Sequence, residues 1–207
     1  MIKRTQIESL TLANWRGIFF KTLSYDQVMT HLVGHNGAGK TTIMAANLTC
    51  KVPDLRLLRF RNTTDNQTAA QPDRGLFGRL GQGICYTALS YRLPDQSRVI
   101  CGVQLRPKAF PSIDIVLFSI EQLPDSATVQ ELLTTTKDNQ NYEIVEIDKL
   151  RKQVKALGGV LIIHRSITEY MEYQFKHRII PKKMRRTEET DTIDRTQIRE
   201  QVKELKM

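Results

Sequence analysis

Apolar and polar residues alternate at the start of the chain with the period of two that is typical of half-buried strands. Residues 7–12 carry such a run, and the apolar residues Phe19, Phe20 and Leu23 indicate a second strand, so this part of the chain predicts a β-hairpin. Residues 28–33 form a short apolar run that predicts a buried strand. A glycine-bearing turn follows, and the composition of residues 41–49 predicts a helix.

Three further short apolar runs, at 84–91, 98–105 and 113–120, are separated only by short turns. Strands joined in this way pair as antiparallel neighbours, so an antiparallel sheet is expected. Residues 60–83, between the first helix and these strands, are rich in Asn, Thr, Gln and Gly and predict a long loop.

The last third of the chain alternates helical and strand patterns. Residues 129–133 predict a short helix, and apolar residues at the helical period predict another over 144–157, ended by Gly158. Residues 160–163 predict a buried strand and residues 166–175 a further helix. The expected fold is α/β with a mixed sheet and an antiparallel β-subdomain.

The turn after residues 28–33 reads Gly34-x4-Gly39-Lys40-Thr41, the complete P-loop pattern. Its glycines let backbone N–H groups face a phosphate, and the following helix N-terminus favours the same anion. Lys40 is predicted to reach the β- and γ-phosphates and the Thr41 hydroxyl to hold Mg²⁺. An apolar strand before the loop and a helix after it are the context that this motif requires. We therefore expect a nucleoside-triphosphate site of the P-loop NTPase type.

Composition is ordinary for a folded protein, but charge is not. The 207 residues are 40% hydrophobic and include 31 Lys and Arg against 22 Asp and Glu, a net charge of +9. An excess of positive charge indicates a polyanionic partner. Three cysteines at no metal-ligand spacing predict small buried thiols in a reducing compartment. The same cysteine usage makes a cytoplasmic location the expectation. No apolar run reaches the about 18 residues of a membrane helix, so no transmembrane helix is expected.

The positive charge is unevenly distributed. Residues 1–120 hold 15 basic and 7 acidic side chains, whereas residues 121–207 hold 16 and 15. The second part nevertheless contains a dense cluster, because residues 176–186 include six Lys and Arg and no acid. Such a cluster is either a solvated face or a contact for a phosphate backbone.

Hydrolysis needs a carboxylate for Mg²⁺ and another that positions water, and no apolar strand here ends in Asp-Glu. The run at 115–120 precedes Glu121 without an Asp, and the run at 160–163 ends in His164-Arg165. There is also no LSGGQ-like signature. No catalytic residue is therefore predicted, and the chain has the chemistry of half an ATPase site.

Five segments carry a resemblance to a known family: LTLANWRGIFFKTL (10–23), GHNGAGKTTIMAA (34–46), PDLRLLRFRNTT (53–64), RGLFGRLGQGICY (74–86) and, more loosely, SITEYMEYQFKHRIIPKKMRR (166–186). They resemble the N-terminal head segment of the SMC-like and Rad50-like ATPases, and within that group the MukB family of bacterial condensins. The resemblance covers residues 1–186. Residues 187–207 are expected to be a polar tail or the start of a neck or coiled-coil helix.

The resemblance implies an ATP-sandwich mechanism for chromosome condensation and partition. ATP and Mg²⁺ are the implied cofactors, and ATPase activity requires the C-terminal half of the same head, which brings the missing motifs. The other implied partners are a second head, a MukF-like kleisin with a MukE-like accessory subunit, and DNA on the bacterial nucleoid. The loop residues that carry over are Gly34, Asn36, Gly37, Ala38, Gly39, Lys40, Thr41 and Thr42.

Two further sets of residues gain a role from the resemblance. Arg59 and Arg61 follow the P-loop helix, and Arg61 is the preferred candidate for reaching the nucleotide or the partner head. The basic cluster after residue 176 becomes a candidate DNA contact. Its candidate residues are Lys182, Lys183, Arg185 and Arg186.

Several alternatives stay open. Trp15 is either a core residue or part of the nucleotide-base site, and Gln104 and Gln122 are weak candidates for a glutamine that senses Mg²⁺ and the γ-phosphate. The chain as a whole could instead be a stand-alone P-loop nucleotide-binding regulator or a small kinase. It could also be a DNA-binding module with a vestigial P-loop.

Overall fold

The alternating runs form a six-stranded sheet in the computed structural model, which describes residues 4–54, 75–110, 112–138 and 141–181. The sheet has the order β2-β1-β3-β4-β5-β8, and every neighbouring pair is antiparallel. Its strands are β1 (Gln6–Trp15), β2 (Ile18–Ser24), β3 (Cys85–Arg92), β4 (Arg98–Pro107), β5 (Ile113–Glu121) and β8 (Val160–His164). The predicted strands at 7–12, 19–23, 84–91, 98–105 and 113–120 are confirmed.

A separate two-stranded hairpin consists of β6 (Thr134–Asp138) and β7 (Asn141–Ile144). The sequence reading missed it and extended a helix over residue 144. The signal was present in the sequence, because three consecutive β-branched threonines are followed two residues later by the turn-favouring pair Asp-Asn.

The helices lie where the periodicity predicts them. They are α1 (Lys40–Lys51), α2 (Val129–Leu133), α3 (Ile147–Ala156) and α4 (Ile167–Lys176), with a 3₁₀ turn at Phe77–Arg79. Thr128 and Glu131 form a reciprocal capping box on α2, and the Ser166 hydroxyl accepts from Glu169 N on α4. Gly158, at φ +78°, ends the α3 segment as predicted.

The sheet separates two apolar cores because successive strand residues point to opposite faces. Leu89 and Cys101 face a core that includes Ala46 of α1 and Tyr170 of α4. Ala88, Ile100 and Phe118 face the other core, together with Leu132 of α2 and with Leu150 and Val154 of α3. The helix that follows the P-loop pattern and the basic helix α3 therefore lie on opposite faces of the sheet.

Two predictions about strands are wrong. Residues 28–33 form no strand, and both Val28 and Val33 are 92% exposed. A buried strand needs hydrogen-bonded neighbours, and no described residue pairs with this segment. A mixed sheet was expected, but all described strands of the sheet are antiparallel to their neighbours. Residues 160–163 do form a strand, but it lies at the edge of the sheet, and Val160 is 43% exposed.

Candidate functional site

The glycine-bearing loop between residues 34 and 39 curls back on itself. Gly37 and Gly39 both have φ +84°, a left-handed conformation that favours glycine over every other residue. Ala38 N donates to the His35 carbonyl at 3.1 Å, which closes the turn. A Cβ added to Gly34 would lie 3.0 Å from Ala38 Cβ, so the start of the loop also favours glycine.

The Lys40 side chain folds over this loop. Its Nζ donates hydrogen bonds to the Gly34 carbonyl at 2.5 Å and to the His35 carbonyl at 2.8 Å. Both contacts are exposed to solvent. The ammonium group is therefore positioned at the mouth of the loop, next to the backbone of residues 34–39.

The N-terminus of α1 lies directly after the loop. Ile43 N donates to the Gly39 carbonyl at 3.0 Å, so the N–H groups of residues 40–42 precede the first α-helical hydrogen bond. No side chain caps this end, and its first turn has no acidic residue. Thr41 is exposed and its hydroxyl makes no hydrogen bond to a described residue. This end of α1 thus offers uncapped donors and a partial positive charge to an anion.

Buried hydrogen bonds hold α1 against the sheet and α4. The Thr87 hydroxyl of β3 donates to the Ala46 carbonyl at 3.0 Å. The Tyr170 hydroxyl donates to the Cys50 carbonyl at 2.8 Å, and the Cys50 thiol donates to the Cys101 carbonyl at 3.0 Å. These contacts lie on residues of the core, so they fix the helix that begins at Lys40.

The positions of these contacts also give the direction of α1. Ala46 lies beside Thr87, and Cys50, one turn later, lies beside Cys101, whose partner in the sheet is Leu89. The helix therefore runs toward the Arg92 end of β3. Lys40 and the loop lie toward the opposite end of the sheet, where β3 begins.

The three thiols are buried, as predicted from their number and spacing. Burial raises the pKa of Cys50 to about 12 and that of Cys85 to about 11, and it raises the pKa of Cys101 as well. All three are therefore neutral thiols at physiological pH and act as small core residues.

Trp15, Gln104 and Gln122 make no contact with the loop among the hydrogen bonds of the described residues. Trp15 is buried, and its Nε1 donates to the Tyr86 carbonyl at 2.8 Å, so it is a core residue. The amide of Gln104 accepts from the Tyr86 hydroxyl, on the sheet face opposite α1. Gln122 lines a cavity of about 700 Å³ at the Arg92 end of the sheet.

Other predicted residues lie outside the described residues. These are Arg59, Arg61, Lys182, Lys183, Arg185 and Arg186. Their predicted contacts with nucleotide, partner head and DNA stay predictions. The same holds for residues 60–74 of the predicted long loop and for the tail at 187–207.

Exposed apolar side chains occur on the segment before the loop and on one side of α1. We call them together the loop-flanking surface, and its members are Val28, Met29, Leu32, Val33, Met44 and Leu48. Isolated exposed apolar residues are common, but six on one short segment and one helix face indicate an interaction surface.

In the part of the chain that the structure describes, no cluster of His, Cys, Asp or Glu could hold a metal ion. No helix in the described ranges is long and apolar enough to cross a membrane.

A family model described as MukB N-terminal matches residues 2–202. The chain belongs to this family. Membership makes it the head segment of a condensin-like chromosome-partition protein, and MukB heads act with partners within an SMC-like complex. The match extends beyond residue 186, where the resemblance seen in the sequence ended, and so includes most of the tail. It also spans the loop, α1 and all six strands of the sheet, so the geometry above belongs to a MukB head segment.

Proposed function

We propose that residues 34–42 bind the triphosphate of ATP and that the chain is the ATP-binding N-terminal half of a MukB-type head. Backbone N–H groups of the loop and of the α1 N-terminus hold the phosphate oxygens, with Gly37 and Gly39 allowing the close approach. Lys40 binds the β- and γ-phosphates. The Thr41 hydroxyl is the protein ligand of Mg²⁺.

The arrangement at Lys40 is the observation that best supports this proposal. Its ammonium group is bonded to two carbonyl oxygens of the loop, which are weaker partners than a phosphate. A triphosphate in the loop gives the same ammonium charged acceptors within reach. Mg²⁺, when bound, neutralises phosphate charge, while the residues of this chain bind and orient the nucleotide.

The chain supplies only half of the machinery for hydrolysis. It contains no Asp-Glu pair after an apolar strand and no signature motif. The loop-flanking surface supports the binding of another part of the head. Residues 28–33 have the apolar content of a buried strand, but no described strand pairs with them. We propose that the C-terminal half of the same head covers this surface and brings the carboxylates.

In this proposal, ATP joins two such heads, each loop facing the signature motif of the other. Engagement and hydrolysis then drive chromosome condensation and partition with a MukF-like kleisin and a MukE-like subunit, in the cytoplasm on the nucleoid. The basic cluster after residue 176 binds DNA through the phosphate backbone. Lys182, Lys183, Arg185 and Arg186 are the proposed contacts, with Arg61 directed to the nucleotide or to the other head.

Equilibrium binding of ATP in Mg²⁺ by calorimetry tests the nucleotide site. Lys40→Ala is expected to weaken binding at least tenfold, because a charge-assisted contact to phosphate is lost. Lys51→Ala is the matched control, since it removes the same charge from the other end of α1. Equal affinity of the Lys40→Ala variant and the unaltered chain contradicts the proposal.

A second measurement separates this function from a stand-alone enzyme. The chain alone is expected to bind ATP without turnover and to support hydrolysis only after the C-terminal half is added. Hydrolysis or phosphoryl transfer by the chain alone supports the regulator or kinase alternative.

A further inference from the structure

The helix α3 presents positive charge on one side and core residues on the other. Leu150 and Val154 are buried against the sheet. Arg151, Lys152 and Lys155 are exposed, and at 3.6 residues per turn they lie within an arc of about 100°. Lys149 is exposed about 60° outside this arc, and the exposed carboxylate of Asp148 lies within it. We call the four cations the α3 basic face.

These four cations differ from most arginines and lysines of the sheet. Arg92 pairs with Glu8 and Asp125, Arg106 with Glu146, and Lys108 with Asp114. Within the described ranges, no carboxylate lies within ion-pair distance of any member of the α3 basic face. The charge on this helix is therefore available to a partner.

The composition of the face favours one class of partner. Three of the four cations are lysines, which are depleted in protein–protein interfaces but bind phosphates as point charges. The exposed positions of α3 include no aromatic or large aliphatic residue that could anchor a protein or enter a membrane. Four cations against one carboxylate, without apolar anchors, fit a phosphate backbone.

We propose that the α3 basic face contacts the sugar-phosphate backbone of duplex DNA, at a site separate from residues 182–186. The contact is independent of base sequence, because the lysine and arginine charges bind the phosphates and not the base edges. α3 lies on the sheet face opposite α1, so this site does not compete with a nucleotide in the loop. The inference rests on the proposed DNA-binding role of the head segment.

Salt-dependent binding of a 30-base-pair duplex to the full chain tests the proposal. Each phosphate contact contributes about 0.9 to the slope of log affinity against log salt. The triple variant Arg151→Gln, Lys152→Gln, Lys155→Gln is expected to weaken binding and to make the slope shallower by about two to three units. The charge-preserving variant Lys152→Arg, Lys155→Arg is expected to keep the slope of the unaltered chain.

The matched control removes the same charge at the far edge of the sheet. Arg4→Gln, Arg16→Gln, Lys21→Gln changes three exposed cations on or near β1 and β2. If both triple variants lose the same slope, the effect is one of net charge and the α3 site is wrong. An unchanged salt slope in the α3 triple variant would also contradict the α3 site.

A charge-reversal variant at residues 182, 183, 185 and 186 separates the inference from the proposed function. The charge-reversal variant could lose DNA binding while the α3 triple variant keeps an unchanged salt slope. This result would overturn the α3 site and keep DNA binding by the head. Absence of salt-dependent binding by the unaltered chain overturns both. Glutamine has a helix propensity close to that of lysine and arginine, so the α3 variant is expected to stay folded.

Discussion

The Tyr170 hydroxyl of α4 donates a 2.8 Å hydrogen bond to the carbonyl of Cys50, in the last turn of α1. That carbonyl is among the last four of the helix, which have no partner within it. Tyr170 is fully buried. One side chain 120 positions later in the chain thus completes the helix that begins at the proposed phosphate-binding lysine.

Tyr170→Phe is expected to lower the free energy of unfolding by about 1–3 kcal/mol, because it leaves a buried carbonyl without a donor. Tyr91→Phe is the matched control. The Tyr91 hydroxyl is buried and has no hydrogen-bond partner among the described residues, so its removal is expected to be neutral or stabilising. Urea denaturation gives the unfolding free energy of both variants. Equal losses of unfolding free energy in the two variants would contradict the proposed role of the Tyr170 hydroxyl.

Gly102 and Phe118 are register partners on β4 and β5, and the aromatic ring lies over the glycine. A Cβ added to Gly102 would lie 2.2 Å from Phe118 Cζ. Gly102→Ala is therefore expected to destabilise the chain by about 1–3 kcal/mol through overpacking. Combining it with Phe118→Leu is expected to cost less than the sum of the two single changes. Strict additivity in urea denaturation contradicts the predicted contact.

Much of this architecture follows from local patterns. Alternation predicted β1, the apolar residues at 19–23 predicted β2, and apolar runs between short turns predicted β3 to β5. The residues of these strands divide between the two cores. Helical spacing predicted α3, with Leu150 and Val154 inward and Gly158 as its end. The glycines of the loop were predicted as well, since only positive φ values close such a turn.

The failures have a common physical cause, since they depend on neighbours that a local pattern does not contain. Residues 28–33 have the composition of a buried strand, yet Val28 and Val33 are exposed because nothing described pairs with them. Val160 begins a strand that was predicted to be buried but lies at the edge of the sheet. The role of Tyr170 was also missed, because its partner at Cys50 lies far away in the sequence.

The loop-flanking surface makes a prediction about assembly. Val28→Ser with Val33→Ser is expected to leave the stability of the isolated chain unchanged, because both side chains are 92% exposed. The same variant is expected to weaken binding to the C-terminal head half by at least tenfold, since two apolar side chains lose their burial. Val160→Ser, at the other edge of the sheet, is the control. Calorimetry measures the affinity of each variant for the C-terminal head half. Equal affinities of the Val28→Ser, Val33→Ser variant and the unaltered chain would count against this docking surface.

His164 is expected to make folding stability depend on pH. Its Nε2 lies 3.0 Å from the Ser119 hydroxyl, and its buried Nδ1 has no partner among the described residues. Burial lowers the pKa of His164 below its ordinary value of 6.5, although Glu169 and Glu121 partly oppose this. Below pH 6.5 the unfolded chain therefore binds a proton that the folded chain does not.

Folding stability is therefore expected to fall as the pH decreases from 7.5 to about 5.5, below the ordinary imidazole pKa. His164→Gln removes the titrating group and keeps an amide that can reach Ser119, so its stability is expected to depend less on pH. Urea denaturation at the two pH values gives the difference in unfolding free energy for each protein. If the variant loses as much stability as the unaltered chain, the acid sensitivity comes from other groups and His164 is not its source.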